Sequence, residues 1–151
     1  MDAKTTPKFD PAALPPSLIG HMEPDYEALA DAYYWSEGGA KTKHPYGIMI
    51  PTKDEFQARH YAINTFRNNF KRWQEAGKRW APPDTGKPEG PPITYFEFNA
   101  RRFTPPKDDP KGHANSLVNV PAIYSQYITQ PDTNANPPGY APSSLPKYKA
   151  P

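Results

Sequence analysis

The chain has 151 residues and a net charge of +2, and 22 of its residues are proline. Leu, Ile, Val and Phe supply only 21 of the 151 residues, about 14 %, and a chain with its own core typically has roughly 20 % or more. The absence of cysteine excludes disulfides, thiolate metal sites and a cysteine nucleophile. Aromatic residues nevertheless make up 13 %, more than a solvated linker carries. This composition predicts a mostly irregular, extended, non-globular chain that is ordered by its partners.

The first 81 residues divide into a lead-in and a helical segment. Prolines interrupt residues 1–23, which are predicted to be extended. A short helix is predicted over 24–36, because Pro24 suits the first helical position and a glycine pair follows the segment. Tyr33 and Tyr34 continue an aromatic and aliphatic spacing typical of a helix face, and Trp35 is the next residue.

The longest proline-free stretch predicts the main helix, over about 52–80. Thr52 and Glu55 fit a capping box at its start. An a/d stripe of large apolar residues runs along it, and the remaining face is basic. The basic residues are Lys53, Arg59, Arg67, Lys71, Arg72, Lys78 and Arg79. The stripe indicates either the core of a small domain or, as we predict, a surface that docks on a partner with partial cover from the 24–36 helix. Its members are Phe56, Ile63, Phe66, Phe70 and Trp73.

Residues 82–151 contain 15 prolines and are predicted to form an extended strap and tail. The segment 93–98, which includes Tyr95 and Phe96, has the β-branched and aromatic composition of a strand. The segment 100–107 is predicted to be a basic and aromatic turn. In it, Arg101, Arg102 and Phe103 are candidate anchors whose guanidinium groups would bind carboxylates.

No pattern in the sequence indicates catalysis. The four histidines, His21, His44, His60 and His113, lack the spacing of a helical metal site. Phosphate-binding and dinucleotide-binding glycine motifs are absent as well. We therefore expect no enzymatic activity, no cofactor, no metal and no small-molecule substrate. No apolar run approaches the length of a membrane span, and a charge of +2 is too small for a nucleic-acid binder.

Four short stretches, in order, give the chain a family resemblance. They are DAYYW at 31–35, IPTKDEF at 50–56 with the helix that follows, PPITYF at 91–96, and NARRF at 99–103 with PPK at 105–107. In order and spacing they resemble the cilia- and flagella-associated protein 276 family. The resemblance covers about residues 31–107, half of the chain.

This resemblance implies a microtubule inner protein of motile cilia and flagella. Such a protein would bind the lumenal face of the α/β-tubulin wall in the B-tubule, near the inner junction and beside a WD40-propeller protein. It would be structural and located in the axoneme, and the N-terminus, which has neither a signal peptide nor a mitochondrial presequence, agrees with a cytoplasmic origin. The aromatic and arginine residues named above would contact the partners.

Two other interpretations remain open from the residues alone. The PPGY sequence at 137–140 fits a ligand of WW domains, which would make the chain a proline-rich adaptor. The second interpretation is that the chain is an accessory subunit of a large complex, such as a respiratory complex.

Overall fold

Five α-helices and a two-stranded hairpin make up the part of the chain that the computed structural model describes, namely residues 9–36, 46 and 54–128. A 3-10 turn at Pro11–Ala13 precedes them. The helices are α1 (Pro16–Ile19), α2 (Tyr26–Ser36), α3 (Glu55–Glu75), α4 (Tyr95–Phe103) and α5 (Pro110–Ile128), and the strands are β1 (Arg79–Trp80) and β2 (Glu89–Pro92). The predicted fold class, a mostly extended and non-globular chain, is therefore wrong for the described residues.

The two helices expected from periodicity lie where the sequence places them. Helix α2 falls within 24–36. Helix α3 falls within 52–80 but ends at Glu75, so the prediction of helix over 76–80 is wrong, and Arg79–Trp80 form strand β1. The start of α3 differs in detail, because its cap is Asp54, whose carboxylate accepts a hydrogen bond from the Gln57 backbone N–H at 2.9 Å. The capping box predicted from Thr52 and Glu55 is thus wrong by two positions, and residues 37–45 and 47–53 lie outside the described part of the chain.

The strand predicted at 93–98 is wrong, because most of this segment lies in helix α4. Thr94 caps the helix: its Oγ1 accepts from the Glu97 backbone N–H at 3.1 Å and donates to the Glu97 carboxylate at 3.2 Å. Thr94 and Glu97 have the spacing of a capping box, but here the Glu97 carboxylate bonds the Thr94 hydroxyl, so the cap satisfies one backbone N–H, that of Glu97. The helix buries Tyr95, Phe96 and Phe98, so packing and capping outweigh their preference for strands. The short strands β1 and β2 come before it and pair antiparallel.

Helix α5 overturns the prediction of an extended strap beyond residue 82. Asp109 caps it by accepting from the Gly112 backbone N–H at 2.9 Å, and Pro110 takes the first helical position, where no N–H is needed. Pro121 lies inside the helix and removes one backbone hydrogen bond. Burial of Val120, Ile123 and Tyr124 compensates for that loss. The predicted tail beyond residue 128 lies outside the described residues.

The core of the fold lies where α2, α3, α4 and α5 meet, and aromatic rings fill it. Helix α2 packs against α3 and α5, and α4 also packs against both of these helices. Tyr33 stacks on Phe66 with 5.1 Å between ring centroids, and Phe103 lies 4.8 Å from each of them. One large ring from each of three helices therefore replaces several aliphatic side chains. This explains how a chain with so few aliphatic residues builds a core.

Candidate interaction surface

Most aromatic residues predicted to bind a partner are instead packed within this chain. They pack between helices and leave almost no side-chain surface open to another molecule in this fold, so the prediction of docking through them is corrected. Tyr33, Tyr34, Phe66, Tyr95 and Phe96 are fully buried, and Trp73 is 2 % exposed. Trp73 also donates its indole N–H to the Ile93 carbonyl at 2.9 Å, which ties α3 to the segment before α4.

The remaining predicted contact residues lie nearer the surface. Phe56, near the start of α3, is 43 % exposed and is the most accessible of them. Ile63 and Phe70 are half-buried on the flanks of the stripe. Trp35, Arg101, Arg102 and Phe103 are half-buried too, so parts of these side chains reach solvent.

One residue assigned to the basic face of α3 lies in the core. Arg59 is 2 % exposed and forms ion pairs with Asp31 and Glu27 of α2. Burial alone would lower the pKa of the Arg59 guanidinium, but Asp31 and Tyr46 close to it raise that pKa above its ordinary value. The cluster links α2 to α3, and its role here is structural.

Two clefts meet at Gly20 and His21, where the turn after α1 lies against α3. The larger cleft has a volume of about 590 Å³ and is lined by Trp73, Lys78 and Ile93, among others. The second has a volume of about 450 Å³ and lies along the exposed side of α3. Its lining includes Met22, Tyr26, Arg67, Phe70 and Lys71.

Gly20 shapes this meeting point. Its backbone has a φ of +113°, which L side chains rarely adopt, and it ends α1. A Cβ placed on Gly20 would lie 2.1 Å from Cη2 of Trp73. Only glycine therefore lets the turn come this close to α3, and this close approach leaves His21 and Met22 at the rims of the clefts.

Cations dominate the exposed groups of this region. The Arg67 guanidinium lies over the Tyr26 ring at 5.3 Å, and the Lys78 ammonium lies over the Trp73 ring at 5.5 Å. These cation–π contacts hold the two side chains along the clefts. Among the described residues, neither these two nor Lys71 forms an ion pair.

The two acidic residues at the rim, Glu23 and Glu97, accept hydrogen bonds from neighbouring side chains. Glu23 accepts from the Tyr26 hydroxyl at 3.0 Å, and Glu97 takes part in the α4 cap. Met22, 59 % exposed, adds an apolar contact. We name this region the basic cleft surface, and it consists of His21, Met22, Arg67, Lys71 and Lys78.

The sequence indicated only part of this surface. The basic face predicted for α3 supplies Arg67, Lys71 and Lys78, whereas His21 and Met22 were not predicted. A signal was present in Gly20, which follows a proline-initiated turn and is a typical helix terminator. The position of that turn against α3 depends on contacts distant in sequence.

Within 9–36, 46 and 54–128, no three His, Asp or Glu side chains are placed to hold a metal ion. Over those ranges, every helix is too short or too polar to cross a membrane.

Comparison of the chain with protein-family models, with curated proteins and with solved structures gave no match.

Proposed function

We propose that this chain is a structural, non-catalytic microtubule inner protein of cilia and flagella. It would brace the lumenal wall of axonemal doublets in the B-tubule near the inner junction, contacting α/β-tubulin and neighbouring proteins that include a WD40 propeller. The proposal starts from the four collinear stretches that resemble the cilia- and flagella-associated protein 276 family. The axoneme would be its location, and motility the process that it supports.

The basic cleft surface is the observation that best supports this proposal. Arg67, Lys71 and Lys78 offer positive charge without carboxylate partners among the described residues, and Met22 adds an exposed apolar side chain. A surface of this kind suits an acidic protein wall, because charge complementarity guides docking and an apolar group adds contact area.

The fold changes how such a brace would work. A packed helical unit contacts its partners with side chains held on helices, so little ordering entropy is lost on binding. We therefore propose a preformed brace in place of a strap that orders on assembly. The stretches behind the resemblance supply core residues, including Tyr33, Phe66 and Tyr95, so they specify this helical unit.

Co-assembly with purified tubulin tests the proposal. A lumenal binder should pellet with microtubules when it is present during polymerisation. Much less should pellet when it is added to closed, preformed microtubules, because the lumen is then hard to reach. Removing the acidic tubulin tails from the outer surface by protease should leave the co-assembled fraction unchanged.

A charge-reversed variant makes the test specific to the basic cleft surface. Arg67→Glu with Lys71→Glu should lower the pelleted fraction several-fold, while Lys87→Glu, an exposed lysine near the hairpin, should behave as the unmodified chain. If the chain stays in the supernatant in both orders of addition, the tubulin proposal is wrong.

A further inference from the structure

The geometry points to a second binding site, in which Arg72 and Arg102 together hold a carboxylate of an acidic, proline-containing peptide segment from a partner. The site lies on either side of the loop that carries Pro82 and Pro83. It involves neither Arg67 nor Lys71, so it does not depend on the proposed binding of tubulin.

The two guanidinium groups come from the ends of two different helices. Arg72 lies in the last turn of α3 and Arg102 in the last turn of α4. Both line one cleft of about 410 Å³, whose other walls include Pro82, Pro83 and Phe98. Two guanidinium groups at one cleft can each direct N–H donors at the oxygens of a single carboxylate.

A chain of buried amides fixes the position of Arg72. Its Nη1 donates to Oδ1 of Asn69 at 3.0 Å, and Nδ2 of Asn69 donates to Oδ1 of Asn99 at 2.9 Å. Nδ2 of Asn99 in turn donates to the Tyr33 hydroxyl at 3.3 Å. Asn69, Asn99 and Tyr33 are fully buried, so this series of hydrogen bonds anchors Arg72 to the core. One nitrogen of Arg72 is used in that way, and its other N–H groups remain for a ligand.

The electrostatics of Arg102 favour an anion at this place. Arg102 is half-buried, and within the described part of the chain it has neither an ion pair nor a hydrogen bond from its side chain. Burial, together with the positive charge of Arg72, lowers the pKa of the Arg102 guanidinium. A carboxylate bound between the two arginines would offset both the burial of the Arg102 charge and its repulsion by Arg72. Glu75 lines the same cleft, but it forms no ion pair with either arginine.

A second cleft, of about 360 Å³, continues on the other side of the loop. Trp80 lies at its wall with Pro82, Pro105 and Pro106, and Arg101 lies over the Trp80 ring at 5.5 Å. Tryptophan and proline side chains form the kind of surface on which extended proline-rich peptides dock. Lys107 adds a further positive charge to this cleft.

The two clefts share Pro82, Pro83 and Arg102, so one extended peptide can cross both. Four cations, Arg72, Arg101, Arg102 and Lys107, line the two clefts together with three carboxylates, those of Glu75, Asp84 and Asp108, which leaves an excess of positive charge. None of these cations forms an ion pair within the described residues. The occupant that matches both the charge and the apolar walls is a peptide in which acidic residues alternate with proline.

Fluorescence anisotropy with a synthetic peptide tests the site on the full chain. The probe is a fluorescein-labelled hexapeptide, Glu-Pro-Glu-Glu-Pro-Glu, and its control has glutamine at every glutamate position. The glutamate peptide should bind and the glutamine peptide should bind at least about tenfold more weakly, because a charge-assisted hydrogen bond contributes roughly that factor or more. Raising the salt concentration should weaken binding of the glutamate peptide only.

Variants localise the binding to the two arginines. Arg72→Gln and Arg102→Gln should each weaken binding of the glutamate peptide at least about tenfold. Lys111→Gln, an exposed residue at the start of α5, should leave it within about twofold, as expected for a surface charge outside the site. Circular dichroism of each variant checks that the helices are retained.

Three results would overturn the inference. In the first, the two peptides bind equally or neither binds. In the second, Lys111→Gln weakens binding as much as Arg102→Gln does, which would indicate a general charge effect. In the third, inorganic phosphate binds and perturbs the arginine side-chain NMR signals while the peptide does not bind, which would assign the site to a small anion.

Discussion

The hydroxyl of Tyr124 in α5 lies 2.6 Å from the hydroxyl of Ser17 in α1, and the two residues are 107 positions apart in the chain. The same Tyr124 oxygen accepts from the Asp25 backbone N–H at 3.1 Å. Tyr124 is fully buried, and burial raises its pKa. One side chain therefore joins the first helix, the start of α2 and the last helix.

Removing this hydroxyl should weaken the whole fold. Tyr124→Phe leaves Ser17 and the Asp25 N–H without their partner, so we expect a loss of about 1–3 kcal/mol in the free energy of unfolding. Urea denaturation followed by circular dichroism measures it. Tyr61→Phe is the matched control, because Tyr61 is 39 % exposed, and its effect should stay within about 0.5 kcal/mol. Equal effects of the two variants would show that the Tyr124 contacts contribute nothing.

The ion cluster between α2 and α3 should depend on Asp31 more than on Glu27. Asp31 is fully buried beside Arg59, whereas the Glu27 side chain is 31 % exposed. Asp31→Asn removes the buried carboxylate that balances the Arg59 guanidinium, so it should lower the free energy of unfolding by about 3–5 kcal/mol. Glu27→Gln should cost about 1 kcal/mol or less, because solvent screens the partly exposed pair. Thermal unfolding of both variants provides the comparison.

A double variant separates the pair from the space that it fills. Asp31→Leu together with Arg59→Met replaces both charges by apolar groups and should recover most of the stability that Asp31→Asn loses. A double variant no more stable than Asp31→Asn would mean that packing around the pair, and not the unpaired charge, sets the cost.

Gly20 should be the least replaceable of the described glycines with positive φ. In Gly20→Ala the new Cβ meets the Trp73 ring, and the backbone becomes strained as well, so we expect a loss of about 3 kcal/mol or more. Gly86 has a φ of +66° but open space around it, so Gly86→Ala should cost only the backbone strain, about 1 kcal/mol. Denaturation midpoints of the two variants give the difference. Similar losses would contradict the close approach of Gly20 to Trp73.

Stability should fall at alkaline pH through the buried tyrosines. Burial raises the pKa of Tyr26, Tyr95, Tyr124 and Tyr127 above 10.0, the ordinary value for tyrosine. The folded state holds these protons more tightly than the unfolded state does, so this stabilisation is complete below about pH 10 and is lost as the pH rises above it. The melting temperature should therefore decrease above that pH.

Absorbance and circular dichroism together check the alkaline transition. A late step in phenolate absorbance should coincide with the loss of helical ellipticity, because the buried tyrosines ionise when the fold opens. Tyr124→Phe should reduce the amplitude of that step by one phenol. Full ionisation of all tyrosines with unchanged ellipticity would contradict the burial of these hydroxyl groups.

Periodicity was sufficient to predict two helices of this fold. In α3 the spacing of Phe66 and Trp73 marks the buried side, with Phe70 half-buried, whereas α2 is buried on nearly all sides and its aromatic spacing predicts the helix but no single buried face. Both helices lie in segments without internal proline, where the pattern has no competing signal. The basic face predicted for the 52–80 helix supplies three of the five residues of the basic cleft surface, namely Arg67 and Lys71 on α3 and Lys78 in the turn after it.

Helix α5 is not predicted because the many prolines after residue 82 indicate an extended chain, and α4 is not predicted because the composition of 93–98 indicates a strand. Asp109 followed by Pro110 is a cap followed by a first-position proline, which is a start signal for a helix. Thr94 and Glu97 likewise have the sequence spacing of a capping box, and Thr94 caps α4. Arg59 could not be placed in the core from the sequence, because its partners Asp31 and Glu27 belong to another helix and only folding brings them near.

The pairing of Ser17 with Tyr124 also has a consequence for biosynthesis. At the usual rate of translation, roughly 5 to 20 seconds separate the emergence of these two residues from the ribosome. During that interval the nascent α2 lacks α5, and Leu29 and Tyr33, fully buried in the finished protein, have only part of their cover. We therefore expect growing chains that stop before α5 to engage chaperones that hold exposed apolar segments, and completed chains to be released from them.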